Sequence, residues 1–328
     1  MYKKFLMICI ASCFASHAAS LDLSQATQET LDTLCAIMED SGNTNEILTQ
    51  INTYQEFVHS FINHGGDINA PIYPKDQTAL MMAAQYQQSS LVKILVTAGA
   101  NPSMKDSLGF SALTYALVAA YSQNPTLKNA CLIAAGYDPN NHKKTVHYLL
   151  TSVAKENQEA FIHASIDPVI YMLLDGVFAL PQKKRSLIKQ TFLSALEQIA
   201  LTTATNDTST QYTVASDQQI NNSLILLQKC SLFVSELYNY NLIESITTIQ
   251  HILHNLQKGF IRLQAHKYSQ EFISSLIAEE LSSIKTFLAW SFDTFETIVS
   301  APTKQATFKL IVSNFSVQLI LEQYETMD

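Results

Sequence analysis

Glycines recur in the first half of this chain at the spacing of a helical hairpin. Gly65, Gly99 and Gly136 stand 34 and 37 residues apart, and Gly176 follows 40 later. Each ends an apolar run with helical spacing. The first three open turn sequences: His64-Gly65-Gly66-Asp67-Ile68-Asn69, Ala98-Gly99-Ala100-Asn101-Pro102-Ser103 and Ala135-Gly136-Tyr137-Asp138-Pro139-Asn140. A helix whose C-terminus enters the left-handed region favours glycine there, because any Cβ is penalised. A period in this range means stacked units, each too small to bury its apolar face alone.

A second element repeats upstream of those glycines. Thr78-Ala79-Leu80-Met81-Met82-Ala83-Ala84 is echoed 33 residues on by Ser111-Ala112-Leu113-Thr114-Tyr115-Ala116-Leu117. The hydroxyl caps a first helix, and the small residues let helices approach closely. With Asp106-Ser107-Leu108-Gly109-Phe110-Ser111-Ala112-Leu113 as an opening and Leu91-Val92-Lys93-Ile94-Leu95-Val96-Thr97-Ala98-Gly99-Ala100-Asn101 as a close, the chain resembles the ankyrin repeat family over about residues 54–180. The match is tightest from Gly65 to Asn140.

The family's proline is Ala79 or Ala112 here, and its histidine is Met81 or Thr114, so the side-chain hydrogen bonds that tie neighbouring units are expected to be missing. Thr78 to Gly99 spans 21 positions but Ser111 to Gly136 spans 25, which places a four-residue insertion around 122–126. A fourth unit would start at Asn140, with 145–150 in its first helix and Asp167-Pro168 opening its second. Residues 23–38 are expected to cap the stack.

The resemblance implies a binding surface on the variable positions of the repeat tips and first helices. Carried onto this sequence these are Pro74, Lys75, Gln77, Gln85 and Tyr86 in one unit and Ser107, Leu108, Phe110, Val118 and Ala119 in the next, extended by Asn141, His142 and Lys144 if the fourth unit forms. Leu108, Phe110 and Tyr86 supply the large apolar and aromatic groups that anchor interfaces.

After Pro181 the repeat signal stops. Residues 183–201 carry an apolar stripe at helical spacing, and 202–216 hold eight Ser/Thr and read as a surface loop. Ser216-Asp217-Gln218-Gln219 looks like a capping box, as does Asn241 with Glu244. Leu242, Ile246, Ile249, Leu253, Leu256, Phe260 and Leu263 then alternate steps of four and three, a heptad seam. Two more amphipathic segments, 268–300 and 302–326, complete an antiparallel helical bundle. The longest apolar run, 310–321, contains Ser313, Asn314, Ser316 and Gln318 and is no membrane span. The fold class is all-α: a short ankyrin-like solenoid over 21–182, then a helical bundle over 183–328.

The N-terminus has a secretory layout: Lys3-Lys4, an apolar core at 5–15, then Ala18-Ala19-Ser20, with cleavage expected after Ser20. Loss of both lysines takes the formal charge from −8 to −10. A rival route is open, because Ile10-Ala11-Ser12-Cys13 resembles a bacterial lipobox that would anchor the protein through a lipid on Cys13. The mature chain is thus expected to be secreted or periplasmic, or else lipid-anchored through Cys13. Cys35, Cys131 and Cys230 remain, odd in number and far apart, which is no disulfide framework.

Against 28 Asp+Glu stand 20 Lys+Arg, of which only Arg185 and Arg262 are arginines, so nucleic acid is a poor partner. His251 and His254 share a helix but lack a completing ligand, and no metal site or cofactor is expected. Gly109-Phe110-Ser111 has the start of a nucleophile elbow, yet Leu113 replaces its second glycine. His142, His147 and His163 fall near Asp138 and Asp167 in sequence. Two functions stay open: an exported repeat protein that binds another protein, without catalysis, or an enzyme, such as a hydrolase, with its site in the helical half and the repeats as targeting module.

Overall fold

The computed structural model describes residues 23–40, 44–71, 75–121, 139–204, 217–265 and 270–324. The expected signal peptide with Cys13, Pro74, the insertion around 122–126, Gly136 and positions 205–216 of the expected loop lie outside them; 202–204 still belong to a helix. Among the described residues the fold is all-α, with twelve α-helices and no β-strand. The chain divides into two compact units, 1–169 with 316–328, and 170–315.

In the first unit the helices are α1 (Leu23–Asp40), α2 (Thr44–Asn63), α3 (Ala79–Gln85), α4 (Ser89–Thr97), α5 (Ala112–Tyr121) and α6 (Pro139–Thr151). Helix α7 (Gln158–Phe178) begins in this unit and continues into the next. Helices α1, α3 and α5 pack in succession, as do α2, α4 and α6, and consecutive helices pair. This is the two-row stack that the glycine period predicts. Small side chains make it close-packed: all six residues from Ala79 to Ala84 are buried.

The ends of these helices follow from local chemistry. Gly65 (φ +82°) and Gly99 (φ +94°) close α2 and α4 in the left-handed region. Behind them the Gly66 N–H donates to Phe61 O at 2.9 Å and the Ala100 N–H to Leu95 O at 2.9 Å, the Schellman arrangement. Thr78 caps α3, its hydroxyl accepting from the Met81 N–H at 3.3 Å while Met81 Sδ accepts from the Thr78 N–H at 3.4 Å.

Three expectations change here. Residues 145–150 do not start a fourth unit: they lie in α6, which packs on α4 and α5 and so stands in the second row. Asp167-Pro168 opens no helix, because α7 runs straight through it. The first half of α7 instead packs onto α5, with Phe161, Ile162, Ser165 and Ile166 buried. Nor are hydroxyl ties absent. The Thr114 hydroxyl donates to Ser165 O at 2.6 Å and the Ser111 hydroxyl to Ser165 Oγ at 2.7 Å, so short side chains make the cross-link where the family pattern has a histidine.

A buried polar chain closes this unit. Gln87 (φ +54°) ends α3 in the left-handed region, and its amide donates to Ala116 O at 2.7 Å. The same amide's oxygen faces His142 Nδ1 at 3.2 Å, and His142 Nε2 meets the Tyr324 hydroxyl at 2.8 Å. Since Gln87 Oε1 only accepts, Nδ1 carries the proton and Nε2 accepts from Tyr324. His142 is 3% exposed, and burial, with Lys143 beside it, pushes its pKa down to about 4. Unfolding raises that value to its ordinary 6.5, so the unfolded chain binds the extra proton first. The stabilisation is therefore complete above about pH 6.5 and is lost as pH falls towards 4. Tyr324→Phe should cost about 1 kcal/mol at pH 7.5 in urea denaturation followed by circular dichroism. The wild-type transition should also weaken on acidification from pH 6.5; an acid-insensitive transition would contradict the neutral histidine.

The second unit holds the end of α7, then α8 (Gln182–Ala204), α9 (Asp217–Asn239), α10 (Thr247–Ala265), α11 (Gln270–Val299) and the start of α12 (Pro302–Tyr324). Helix α11 packs on α8 and α10, and α9 on α10. The heptad seam is real: Ile249, Leu253 and Leu256 are buried with Val234, Leu237, Leu242, Ile298 and Ile311. Its first two members precede the helix. Asn241 (φ +56°), expected to cap α10, instead ends α9, with the Leu242 N–H donating to Leu237 O at 2.8 Å. Phe178, Phe233, Phe295, Phe308 and Phe315 form an aromatic cluster with centroids 5.3–6.3 Å apart. Arg185 grips Glu296 with two hydrogen bonds of 2.7 and 2.9 Å, and Lys189 pairs with Asp293.

Candidate functional site

The turn before α5 is built around one carboxylate. Asp106, 7% exposed, accepts from the Leu108 N–H at 2.9 Å and the Phe110 N–H at 2.8 Å through Oδ1, and from the Tyr115 hydroxyl at 2.6 Å through Oδ2. Burial and this bond raise the Tyr115 pKa, so the phenol keeps its proton to donate. Gly109 supplies the left-handed residue (φ +80°), its N–H donating to Asp106 O at 2.9 Å. Asp76 (φ +56°) holds the equivalent place 33 residues earlier. An aspartate tolerates that region better than most side chains.

Adjacent turns are tied to each other. Lys75 O accepts from both the Ser107 N–H at 3.1 Å and the Ser107 hydroxyl at 3.0 Å. Further along, Asn69 Oδ1 accepts from the Asn101 N–H at 2.7 Å. The tips form one surface with a fixed backbone.

The structure brings together five of the residues that the sequence proposed. Lys75 and Ser107 are exposed and Gln77 half-buried, with a hydrogen bond to Tyr115. Phe110 is half-buried, edge-on to Tyr115 at 5.9 Å, and Leu108 is 63% exposed. Gln85 and Tyr86 sit at the far end of α3, both half-buried, with Gln28 Nε2 donating to the Tyr86 hydroxyl at 3.3 Å. Val118 is half-buried on α5. Asn141 and His142 do not extend the tips. They start α6 against the linker between α3 and α4, where Asn141 Oδ1 accepts from the Ser89 hydroxyl at 3.1 Å and His142 is buried against Gln87. The sequence reading missed the role of Asp106 as organiser and of Gln87 as connector. An Asp with a Tyr nine positions on was the available signal for the first.

Beside the turn lies an open hollow of about 390 Å³, lined by Ser103, Lys105, Ser111, Asn157, Phe161 and Ser165 among others. Among the described residues its lining includes no histidine and no carboxylate. In the second unit His251 and His254 are both exposed on α10, and among the described residues no group of three His, Cys, Asp or Glu is placed to hold a metal.

The chain shows no significant match to a curated protein or to a solved structure. Residues 46–128 match the family model for ankyrin repeats in three copies, so the stacked hairpins that carry these turns are an ankyrin-repeat segment, a protein-interaction module.

Proposed function

We propose that the chain is an exported ankyrin-repeat protein whose repeat tips hold another protein, with no catalysis of its own. Leu108 carries this reading. Its side chain is 63% exposed, yet its own N–H and that of Phe110 are held by one buried carboxylate. A partner therefore gains apolar contact without ordering the loop, which is the main saving in a preformed interface. The formal charge of −8 supports a protein over a nucleic acid as the partner.

Leu108→Asp should weaken capture of the native partner at least about tenfold, because a carboxylate cannot enter an apolar pocket. The thermal transition should not move, since the side chain touches little else. Unchanged capture would take the tips out of consideration. Export is tested by N-terminal sequencing of protein from its native host, which should begin at Leu21 or within a few residues of it. An intact Met1 would sink it, and a lipid on Cys13 would show the anchored form.

A further inference from the structure

The second unit has an apolar side that none of its described helices covers. Met172 and Leu173 on α7 are 58% and 59% exposed and Val177 is 40% exposed. Across the turn at 179–181, Leu187 and Ile188 on α8 are 62% and 43% exposed. Each stripe is set off from the face by which its helix packs. Helix α7 turns Tyr171, Asp175 and Phe178 towards α12, where Lys309 pairs with Asp175 and lies over both rings, and Phe178 also meets Phe295 of α11 at 5.7 Å. Helix α8 turns Arg185 and Lys189 towards α11, onto Glu296 and Asp293. Leu173 and Leu187 stand about half a turn from the packed residues of their helices, and Met172, Val177 and Ile188 flank them.

Charge identifies what fits this side. The segment Lys183-Lys184-Arg185-Ser186-Leu187-Ile188-Lys189 holds four cations in a chain of formal charge −8. Arg185 and Lys189 are spent on Glu296 and Asp293, whereas Lys183 and Lys184 are exposed and make no ion pair among the described residues. Both stand in the first turn of α8, which has no acidic residue and where the helix dipole already disfavours a cation. Positive potential is thus concentrated at the edge of an apolar strip.

We propose that the α7–α8 hairpin is a peripheral membrane-docking surface for an anionic bilayer, with Met172, Leu173, Val177, Leu187 and Ile188 entering the interface and Lys183 and Lys184 meeting the lipid phosphates. Lysine stems lie along apolar surface while their heads stay at the headgroup level.

Flotation of the full chain with phosphatidylcholine vesicles containing about one third phosphatidylglycerol tests this. Binding should require the anionic lipid and fall as salt is raised, because exposed charges are screened within a Debye length. Lys183→Glu with Lys184→Glu should weaken it by about thirtyfold or more, at about fivefold for each lysine lost. Acidic residues suit a helix N-terminus, so this variant keeps its fold. Leu173→Gln with Leu187→Gln should weaken binding at least about tenfold with an unchanged circular dichroism spectrum. Equal binding to pure phosphatidylcholine, or binding unaffected by the lysine changes, would place any lipid contact elsewhere, including the apolar N-terminal stretch, and overturn the proposal. So would absence of binding, or a concentration-dependent dimer in sedimentation that the leucine changes abolish.

Discussion

Asp106→Ala should destabilise the repeat unit by about 3 kcal/mol and abolish partner capture. The carboxylate is buried and accepts three hydrogen bonds, from the Leu108 and Phe110 amides and the Tyr115 hydroxyl. Hydrogen bonds to a charged group contribute about 1.5–3 kcal/mol each, and the sum is reduced because the freed amides gain water at the exposed turn. Asp106→Asn keeps an acceptor for the two amides, so most of the backbone geometry survives and the loss should be about 1 kcal/mol. Tyr115→Phe keeps both amide bonds and removes the third, together with the Gln77 bond to the same hydroxyl. Urea denaturation of the full chain, monitored by circular dichroism, should rank the variants Ala, then Asn, then Phe in order of decreasing damage. An Asp106→Ala protein as stable as wild type would mean that the turn is held by the Ser107 to Lys75 contacts alone.

Glu280→Gln should stabilise the helical unit by about 2 kcal/mol at pH 8 and have almost no effect at pH 4.5. Glu280 is 9% exposed, and a Cβ added at Gly259 of α10 would overlap its Oε1, so the carboxyl lies directly on the glycine backbone. Its Oε2 has no hydrogen-bond partner among the described residues. Burial is the main cause that pushes its pKa up to about 7 from 4.5, with Glu279 adding to the rise and Arg262 opposing it. Between those values the folded state keeps a proton that the unfolded chain releases. The stabilisation is therefore full below about pH 4.5 and is lost as pH rises through about 7. This is the reverse of the His142 response, so the two units should favour opposite ends of the range. Thermal scans at pH 4.5, 6 and 8 on wild type and Glu280→Gln check it; a wild-type transition from this unit that does not fall with pH would refute the protonated carboxyl.

Backbone punctuation was legible in the sequence where one residue type has one conformational use. Gly65 and Gly99 marked helix ends and sit at positive φ, and Ile249, Leu253 and Leu256 marked a seam and are buried. Long-range partners were not legible. Thr114 read as a lost histidine contact because its hydroxyl is short, yet α7 brings Ser165 O within 2.6 Å of it. Asp167-Pro168 read as a helix start because proline suits a first turn, but the fixed φ of proline is also helical, and packing of Phe161 and Ile166 continued the helix through it. Asn141 and His142 were placed on the tips by extending a period into a region whose spacing had already changed. Asn241 shows the same ambiguity: it suits the start of one helix and the end of another, and burial of Leu242 on Leu237 decided for the end.

The bond between His142 and Tyr324 joins positions 182 residues apart. During synthesis at about 5–20 residues per second, roughly ten to forty seconds separate the appearance of the two partners. All of the second unit is made in that interval. The repeats are translated before it and therefore acquire this closing hydrogen bond only once α12 has been made. Loop closure over so long a stretch makes this a late step on the folding pathway too, set by the arrival of α12 and not by the fast formation of the hairpins themselves.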